Sequence, residues 1–170
     1  MTKKILITDP LSPAGKEVLE AAGLDVIEIL DQDADKMAAV LPEVEGWIIR
    51  SGTNIGADEI AKASSLRAIG RAGVGVDNID IKAATASGVV VMNTPGGNTI
   101  SAAEHTVALM MSLARNIPAG DSSMKVGKWD RKLLVGTELN GKTLGLIGLG
   151  RIGQEVARRA LGLQMIVIGY

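Results

Sequence analysis

Residues 143–170 read TLGLIGLGRIGQEVARRALGLQMIVIGY, and this stretch decides the fold. An apolar strand, Lys142–Ile147, leads directly into a GxGxxG turn made of Gly148, Leu149, Gly150, Arg151, Ile152 and Gly153. A helix over Arg151–Ala160 and a second strand over Gln164–Tyr170 follow the turn. Strand, glycine turn, helix and strand in this order are typical of the first βαβ unit of a Rossmann dinucleotide-binding domain.

The six residues of the turn are therefore the predicted cofactor-binding residues of the chain. Glycine permits the tight turn and the close approach of the backbone to a pyrophosphate, and the start of the helix offers N–H groups to it. The alternative is a glycine-rich turn that binds nothing. An acidic residue that would hold the ribose hydroxyls is due about twenty positions further on, which is beyond Tyr170. The motif therefore leaves the choice between NAD and NADP open.

Outward from this motif, short apolar runs alternate with amphipathic ones along the first part of the chain. Strands are predicted at 4–8, 25–30, 46–50, 66–71 and 89–93, and helices at 12–22, 33–40, 57–63 and 79–87. Such alternation predicts an open, mostly parallel α/β sheet. A long helix follows at 100–116, apolar over more than one face, so that burial against two surfaces is expected. Residues 117–140 carry no clear period, and a domain boundary is predicted near residue 100.

Composition excludes several classes of function. The chain has 170 residues, with 18 Lys and Arg against 19 Asp and Glu, so no basic excess favours nucleic acid or an anionic membrane. It has no cysteine, which excludes disulfides, thiolate zinc sites and a Cys nucleophile. No apolar run approaches the roughly 18 residues of a membrane span. No metal-binding motif is present, and a cytoplasmic protein is expected.

Two arginines and several loops of small residues are predicted to meet at one edge of the sheet. Arg50 ends the third strand and Arg71 the fourth, and loops follow at 51–54, 72–78 and 94–99. Ligands of open α/β sheets bind beyond the carboxyl ends of the strands. Arginine forks and backbone N–H groups suit a carboxylate or phosphate. The alternative is that the arginines are solvated and the glycines only turn the chain.

His105 is the only histidine and the obvious candidate for a general base. It lies within the long apolar helix next to Glu104, with no nucleophile pattern nearby. A structural role is therefore expected for His105, and no catalytic residue is predicted in this chain.

Four segments carry a resemblance to a known family. They are GRAGVGVDNID at 70–80, VVVMNTPGGNTISAAEHTVALMMSLAR at 89–115, GKWDRKLLVGTELNGKTLGLIGLGRIGQEVA at 127–157 and VIGY at 167–170. Together they resemble the D-isomer-specific 2-hydroxyacid dehydrogenases, over the whole chain. The resemblance implies a flavodoxin-like substrate-binding domain over 1–99 and the start of a Rossmann NAD-binding domain over 100–170.

The same resemblance implies roles for individual residues and partners. It implies substrate contacts from Arg50, Ser51, Gly52, Gly73, Val74 and Asn98, with Val74 also near the nicotinamide. It implies pyrophosphate contacts from Arg151 and Ile152, with NAD as cofactor. The implied substrate is a small anionic 2-hydroxy acid, with 3-phosphoglycerate favoured, and the implied assembly is a homo-oligomer formed through residues 100–140.

In the family, the catalytic Arg, Glu and His lie in the second half of a chain about twice this long, so the resemblance implies the first half of a dehydrogenase, inactive alone. Three alternatives for the whole protein remain open at this point. They are a dehydrogenase for 3-phosphoglycerate, one for glyoxylate, lactate or formate, and a non-catalytic binding protein of dehydrogenase fold.

Overall fold

The computed structural model describes residues 2–170, which form two compact units. The first unit ends at Gly97 and contains β1 (Lys4–Ile7), α1 (Pro13–Ala21), β2 (Asp25–Glu28), α2 (Ala34–Val40), β3 (Val44–Ile49), α3 (Ala57–Lys62), β4 (Ala68–Arg71), α4 (Ile81–Ala86) and β5 (Val90–Asn93). The second unit, Asn98–Tyr170, contains α5 (Thr99–Ala114), α6 (Ile117–Lys125), β6 (Thr143–Leu146), α7 (Arg151–Gly162) and β7 (Ile166–Gly169).

The first unit is a parallel sheet of five strands in the order β2-β1-β3-β4-β5. This confirms the predicted parallel α/β sheet, and the order is the flavodoxin-like one. The chain leaves β1 toward β2 on one side and later returns to add β3 on the other side, so the order reverses between β1 and β3. Crevices at such a reversal are where ligands bind in this class of sheet.

Local signals fix where the helices of the first unit begin and end. The carboxylate of Asp33 accepts hydrogen bonds from the backbone N–H groups of Asp35 and Lys36 at the start of α2, and Asp80 caps α4 through the N–H of Ala83. Gly23 follows α1 with φ +74°, a conformation in which glycine ends a helix without strain. These caps explain why the predicted elements form close to their predicted positions.

The core of the first unit is built on the central strands. Leu6, Trp47, Ile49 and Ile69 are fully buried. The indole N–H of Trp47 donates to the hydroxyl of Thr8 at 3.0 Å, so this buried donor has an acceptor. The near-continuous apolar runs of these strands are what a parallel sheet covered on both faces requires.

The second unit has a much smaller core. Its two strands, β6 and β7, are parallel and connected through α7, which gives one βαβ unit. Its buried hydrophobic residues are Ala103, Val156, Ala160 and Met165. The predicted burial of α5 on two surfaces is not met within this chain, because Ala103 alone is buried in α5 and Leu113 is 82% exposed.

The segment 117–140 also differs from its prediction, because it begins with a helix, α6. Asn116 adopts a left-handed conformation with φ +53°, which separates α6 from α5, and a proline stands in the first turn of α6. Lys125 pairs with Asp121 one turn earlier at 2.6 Å. α6 is only nine residues long and has no buried residue, so its sequence shows no apolar periodicity. None of the helices described here is both long and apolar enough to cross a membrane.

Candidate functional site

The loops that follow β1, β3, β4 and β5 lie at one edge of the sheet, because the four strands are parallel. The register places Ile49 opposite Arg71 and Arg71 opposite Asn93. Arg50, which follows Ile49, and Arg71 therefore stand at the carboxyl ends of adjacent strands. This is the edge that the sequence predicted for an anion.

The two arginines have different surroundings. Arg50 is exposed, and its guanidinium donates to the carbonyl oxygen of Pro10 at 3.4 Å. Arg71 is half-buried, and its Nε atom is buried without a hydrogen-bond partner among the described residues. The Arg71 guanidinium lies over Gly73, where any side chain would collide with it. An unsatisfied buried donor is costly, and an anionic ligand is one way to satisfy this guanidinium.

The loop after β3 presents backbone donors beside Arg50. Ser51 and Gly52 are both exposed, and no described residue accepts from the N–H of either. In the loop after β4, the N–H of Val74 likewise has no acceptor in the described part of the chain. Two arginines and three N–H groups without an acceptor thus lie on neighbouring loops, and these are the donor groups that suit carboxylates and phosphates.

Side chains that the sequence analysis did not single out hold these loops in place. The amide of Asn78 donates to the carbonyl oxygens of Arg50 and Thr53 at 2.7 and 2.5 Å. The amide of Asn93 donates to the carbonyl oxygen of Val74 at 2.7 Å. The carboxylate of Asp9 accepts from the N–H groups of Arg50 and Thr53. Asp9 lies two residues after the end of β1 and Asn93 is the last residue of β5, and a polar residue at the carboxyl end of a parallel strand is the signal that could have found them.

Asn98, another predicted substrate contact, is the first residue of the second unit. It stands at the N-cap position of α5, and its carbonyl oxygen accepts from the N–H of Ala102 and the hydroxyl of Ser101.

The glycine turn of the second unit has a backbone that fits a pyrophosphate. Gly148 adopts φ +97°, which a side chain rarely tolerates. A Cβ at Gly153 would collide with the carbonyl oxygen of Gly148, so helix and turn pack as closely as glycine allows. Space around Gly150 is open, with no atom within 4 Å of a Cβ built there. The three glycines thus meet the requirements of a dinucleotide-binding turn: a tight turn, close packing and room for the ligand.

The helix behind this turn supplies the remaining donors. α7 begins at Arg151 with Gly150 at its N-cap, and the N-terminal end of a helix favours an anion. The side-chain amide of Gln154 donates to the carbonyl oxygen of Leu149 at 2.9 Å, which fixes the turn against the helix. Arg151 and Ile152, the predicted pyrophosphate contacts, are therefore the first two residues of the helix, at its positive end.

An ion-pair network joins α7 to α5 within the second unit. Glu155 pairs with Arg159 at 2.7 Å and also with Arg158, and these hydrogen bonds lower the pKa of the Glu155 carboxyl below its usual value. Arg159 also reaches Glu104 on α5 at 3.5 Å. His105, next to Glu104, is exposed on the same helix.

A depression lies away from these loops. It has a volume of about 800 Å³ and lies at the opposite, amino-terminal edge of the sheet, lined by Lys4, Glu43 and Ser65 among others. Lys4 and Glu43 pair with each other there. Residues 2–170 contain no cluster of three or more His, Asp or Glu that could hold a metal ion.

Comparison with known proteins gives one family. The family model of the D-isomer specific 2-hydroxyacid dehydrogenase catalytic domain matches residues 5–165. The D-3-phosphoglycerate dehydrogenase of Rattus norvegicus is 53% identical over 168 residues, which are 99% of this chain and 32% of the rat protein. The protein of the same name from Archaeoglobus fulgidus is 49% identical over 167 residues, 98% of this chain and 32% of that protein. The chain thus spans about a third of the length of these relatives.

Solved structures agree in fold. The NAD⁺-bound 3-phosphoglycerate dehydrogenase of Entamoeba histolytica matches with a TM-score of 0.80 and 32% identity, covering 100% of this chain and 54% of that one. The NAD-dependent formate dehydrogenase of Staphylococcus aureus, solved with NAD, matches with a TM-score of 0.88 and 28% identity, covering 99% and 56%. These likenesses agree with the flavodoxin-like sheet and the Rossmann βαβ unit found here. The chain belongs to the D-isomer specific 2-hydroxyacid dehydrogenase family.

Proposed function

We propose that this chain is the substrate-binding domain and the start of the NAD-binding domain of a D-3-phosphoglycerate dehydrogenase. The whole enzyme would oxidise 3-phosphoglycerate to 3-phosphohydroxypyruvate, a step of L-serine biosynthesis. The observation that carries the proposal is the combination of an anion-binding edge at Arg50 and Arg71 with a complete glycine turn at Gly148–Gly153. The two curated relatives described above, both named D-3-phosphoglycerate dehydrogenase, support this choice of substrate.

In this proposal residues 1–99 bind the substrate and residues 100–170 begin the cofactor domain. Bound NAD would accept the hydride from C2 of the hydroxy acid. Arg50, Arg71 and the N–H groups of Ser51, Gly52 and Val74 would neutralise and orient the substrate anion. The first turn of α7 would hold the cofactor pyrophosphate. The groups that take the hydroxyl proton and polarise the new carbonyl are expected, from the family resemblance, outside these 170 residues.

A dehydrogenase for another 2-hydroxy acid is the second candidate. The likeness to the Staphylococcus aureus formate dehydrogenase favours it, since that structure matches 99% of this chain and is named for a substrate that carries no phosphate. Charge separates the two candidates. A phosphate and a carboxylate on one substrate use both arginines, whereas a monocarboxylate such as D-lactate uses only part of the site.

Calorimetric titration of the chain tests the substrate. We expect 3-phosphoglycerate to bind at least about tenfold more tightly than D-lactate, because each additional hydrogen bond to a charged group contributes about 1.5–3 kcal/mol. Inorganic phosphate should bind with intermediate affinity. Equal affinities for 3-phosphoglycerate and D-lactate would favour the second candidate.

We also propose that the protein is a cytoplasmic homo-oligomer assembled through residues 100–140. Support comes from exposed apolar side chains on α5 and the segment after it, namely Leu109, Leu113, Trp129, Leu133 and Val135. Exposed apolar side chains in such number are a feature of contact sites between proteins. Light scattering at micromolar concentration should give dimers or larger species, and a Leu113→Asp variant should shift the population toward monomer. A wild-type chain that stays monomeric would contradict the proposed assembly. Cell fractionation tests the proposed cytoplasmic location.

A further inference from the structure

Asp9 is the one buried charged residue in the part of the chain that the structure describes. It lies two residues after the end of β1, at the point where the strand order reverses, and only 6% of its surface is exposed. An ionised carboxylate in such a place is costly unless hydrogen bonds compensate it. Its bonds therefore indicate what the residue is there to hold.

The two hydrogen bonds that the Asp9 carboxylate accepts both come from the loop after β3. Oδ2 accepts from the N–H of Arg50 at 2.7 Å and from the N–H of Thr53 at 3.1 Å. The other oxygen, Oδ1, lies so close to Gly52 that a Cβ on Gly52 would collide with it. The carboxylate thus lies directly against the loop 50–53, and the loop closes over it only because residue 52 is glycine.

This arrangement decides which backbone donors of the loop remain available. Asp9 occupies the N–H groups at the two ends of the loop, those of Arg50 and Thr53. The N–H groups between them, on Ser51 and Gly52, have no acceptor among residues 2–170, and both residues are exposed. By accepting from Arg50 and Thr53, the Asp9 carboxylate leaves the N–H groups of Ser51 and Gly52 available to a ligand.

Neighbouring contacts fix the same loop from other sides. Thr53 is buried, and its hydroxyl donates to that of Thr8 at 2.9 Å and accepts from the amide of Gln32 at 3.2 Å. The Arg50 guanidinium reaches the carbonyl oxygen of Pro10, the residue after Asp9. These bonds join residues 8–10, after β1, to residues 50–53, after β3. We call the joined segments the platform, and Asp9 lies at its centre.

We propose that Asp9 is a positioning residue for substrate binding. It acts through the backbone of residues 50–53 and does not touch the substrate itself. Its carboxylate holds Arg50 and the free N–H groups of Ser51 and Gly52 in the geometry that binds an anion. The inference rests on the proposed function, because it assumes that the substrate anion binds at this loop.

A matched control is available within the same unit. Asp33 also accepts from two backbone N–H groups, those of Asp35 and Lys36, both at 3.0 Å. It is exposed at the start of α2 and bonds to no residue of the loop 50–53. Asp33→Ala therefore removes the same kind of bond as Asp9→Ala without touching the platform.

The test uses wild type, Asp9→Ala, Asp9→Asn and Asp33→Ala of the full 170-residue chain. Amide hydrogen exchange by NMR reports on the loop, and calorimetry reports the affinity for 3-phosphoglycerate. In Asp9→Ala we expect the amides of Arg50 and Thr53 to exchange about tenfold faster or more, and the affinity to fall about tenfold. Asp9→Asn keeps an oxygen acceptor and should recover most of both losses. Asp33→Ala should speed exchange at Asp35 and Lys36 only.

The outcomes test the positioning role of Asp9 separately from the proposed function of the chain. An Asp9→Ala chain that binds 3-phosphoglycerate like wild type would overturn the positioning role, as would equal weakening in Asp9→Ala and Asp33→Ala. If Asp9→Ala does not fold, Asp9→Asn decides, because faster exchange at Arg50 and Thr53 with unchanged affinity would also overturn it. A wild-type chain that binds no 3-phosphoglycerate would instead overturn the proposed function, whereas the exchange data would still report whether Asp9 orders the loop.

Discussion

Assayed alone with NAD and 3-phosphoglycerate, the 170-residue chain is expected to form no NADH above the blank. The family resemblance implies that the catalytic Arg, Glu and His lie outside these residues. A general base alone contributes roughly 10²–10⁴-fold to a rate, and groups that act as a unit leave little activity when they are removed together. The measurement is the absorbance of NADH over time, with the rat D-3-phosphoglycerate dehydrogenase as the positive control.

His105 provides the decisive control for this result. It is the only histidine of the chain, and it is exposed on α5 beside Glu104, whose carboxylate pairs with Arg159. Turnover above the blank that disappears in His105→Ala would show that this histidine is catalytic and that the assignment of a structural role is wrong.

Loss of the arginine pair is expected to abolish most of the anion binding. Arg50→Ala and Arg71→Ala should each weaken the binding of 3-phosphoglycerate by about 1.5–3 kcal/mol, the value of a hydrogen bond to a charged group. The double variant should lose more than either single one, because both guanidiniums stand at the carboxyl ends of adjacent strands. Calorimetric titration measures all three.

Arg67→Ala is the matched control for the arginine pair. Arg67 precedes β4, whereas Arg71 is the last residue of that strand, so the two arginines stand at opposite edges of the sheet. Arg67 is exposed, and its described bonds run through its backbone: its N–H donates to the carbonyl oxygen of Glu45, and its own carbonyl oxygen accepts from the N–H of Val90. We expect wild-type affinity for Arg67→Ala. Equal losses of affinity in Arg67→Ala and Arg71→Ala would show that Arg71 acts only through the net charge of the protein.

Much of the fold could be predicted because it depends on local pattern. The parallel strands are short apolar runs, and the helices between them begin at signals such as Asp33 and end at signals such as Gly23. α6 was missed for the opposite reason, because a short exposed helix with Gly120 and two serines carries no apolar stripe. The apolar faces of α5 were recognised, but what covers them is not a property of local sequence.

The candidate site could likewise be predicted only in part. The strand ends placed Arg50 and Arg71 at one edge, and the glycine spacing located the turn at Gly148–Gly153, since both follow from short-range sequence order. The bonds that hold the loops could not be predicted. Asp9 bonds to residues 41 and 44 positions away, and Asn78 to residues 25 and 28 positions away. Only the folded sheet brings these side chains to the loops.

The central claim is that an anionic 2-hydroxy acid binds at the carboxyl edge of the first unit's sheet. Titration of the ¹⁵N-labelled chain with 3-phosphoglycerate, followed by amide chemical shifts, tests it residue by residue. We predict the largest shifts at Ser51, Gly52 and Val74, with saturation, and none around Glu43 and Ser65 at the opposite edge. Saturable shifts confined to that opposite edge, or none at Ser51, Gly52 and Val74, would contradict the account.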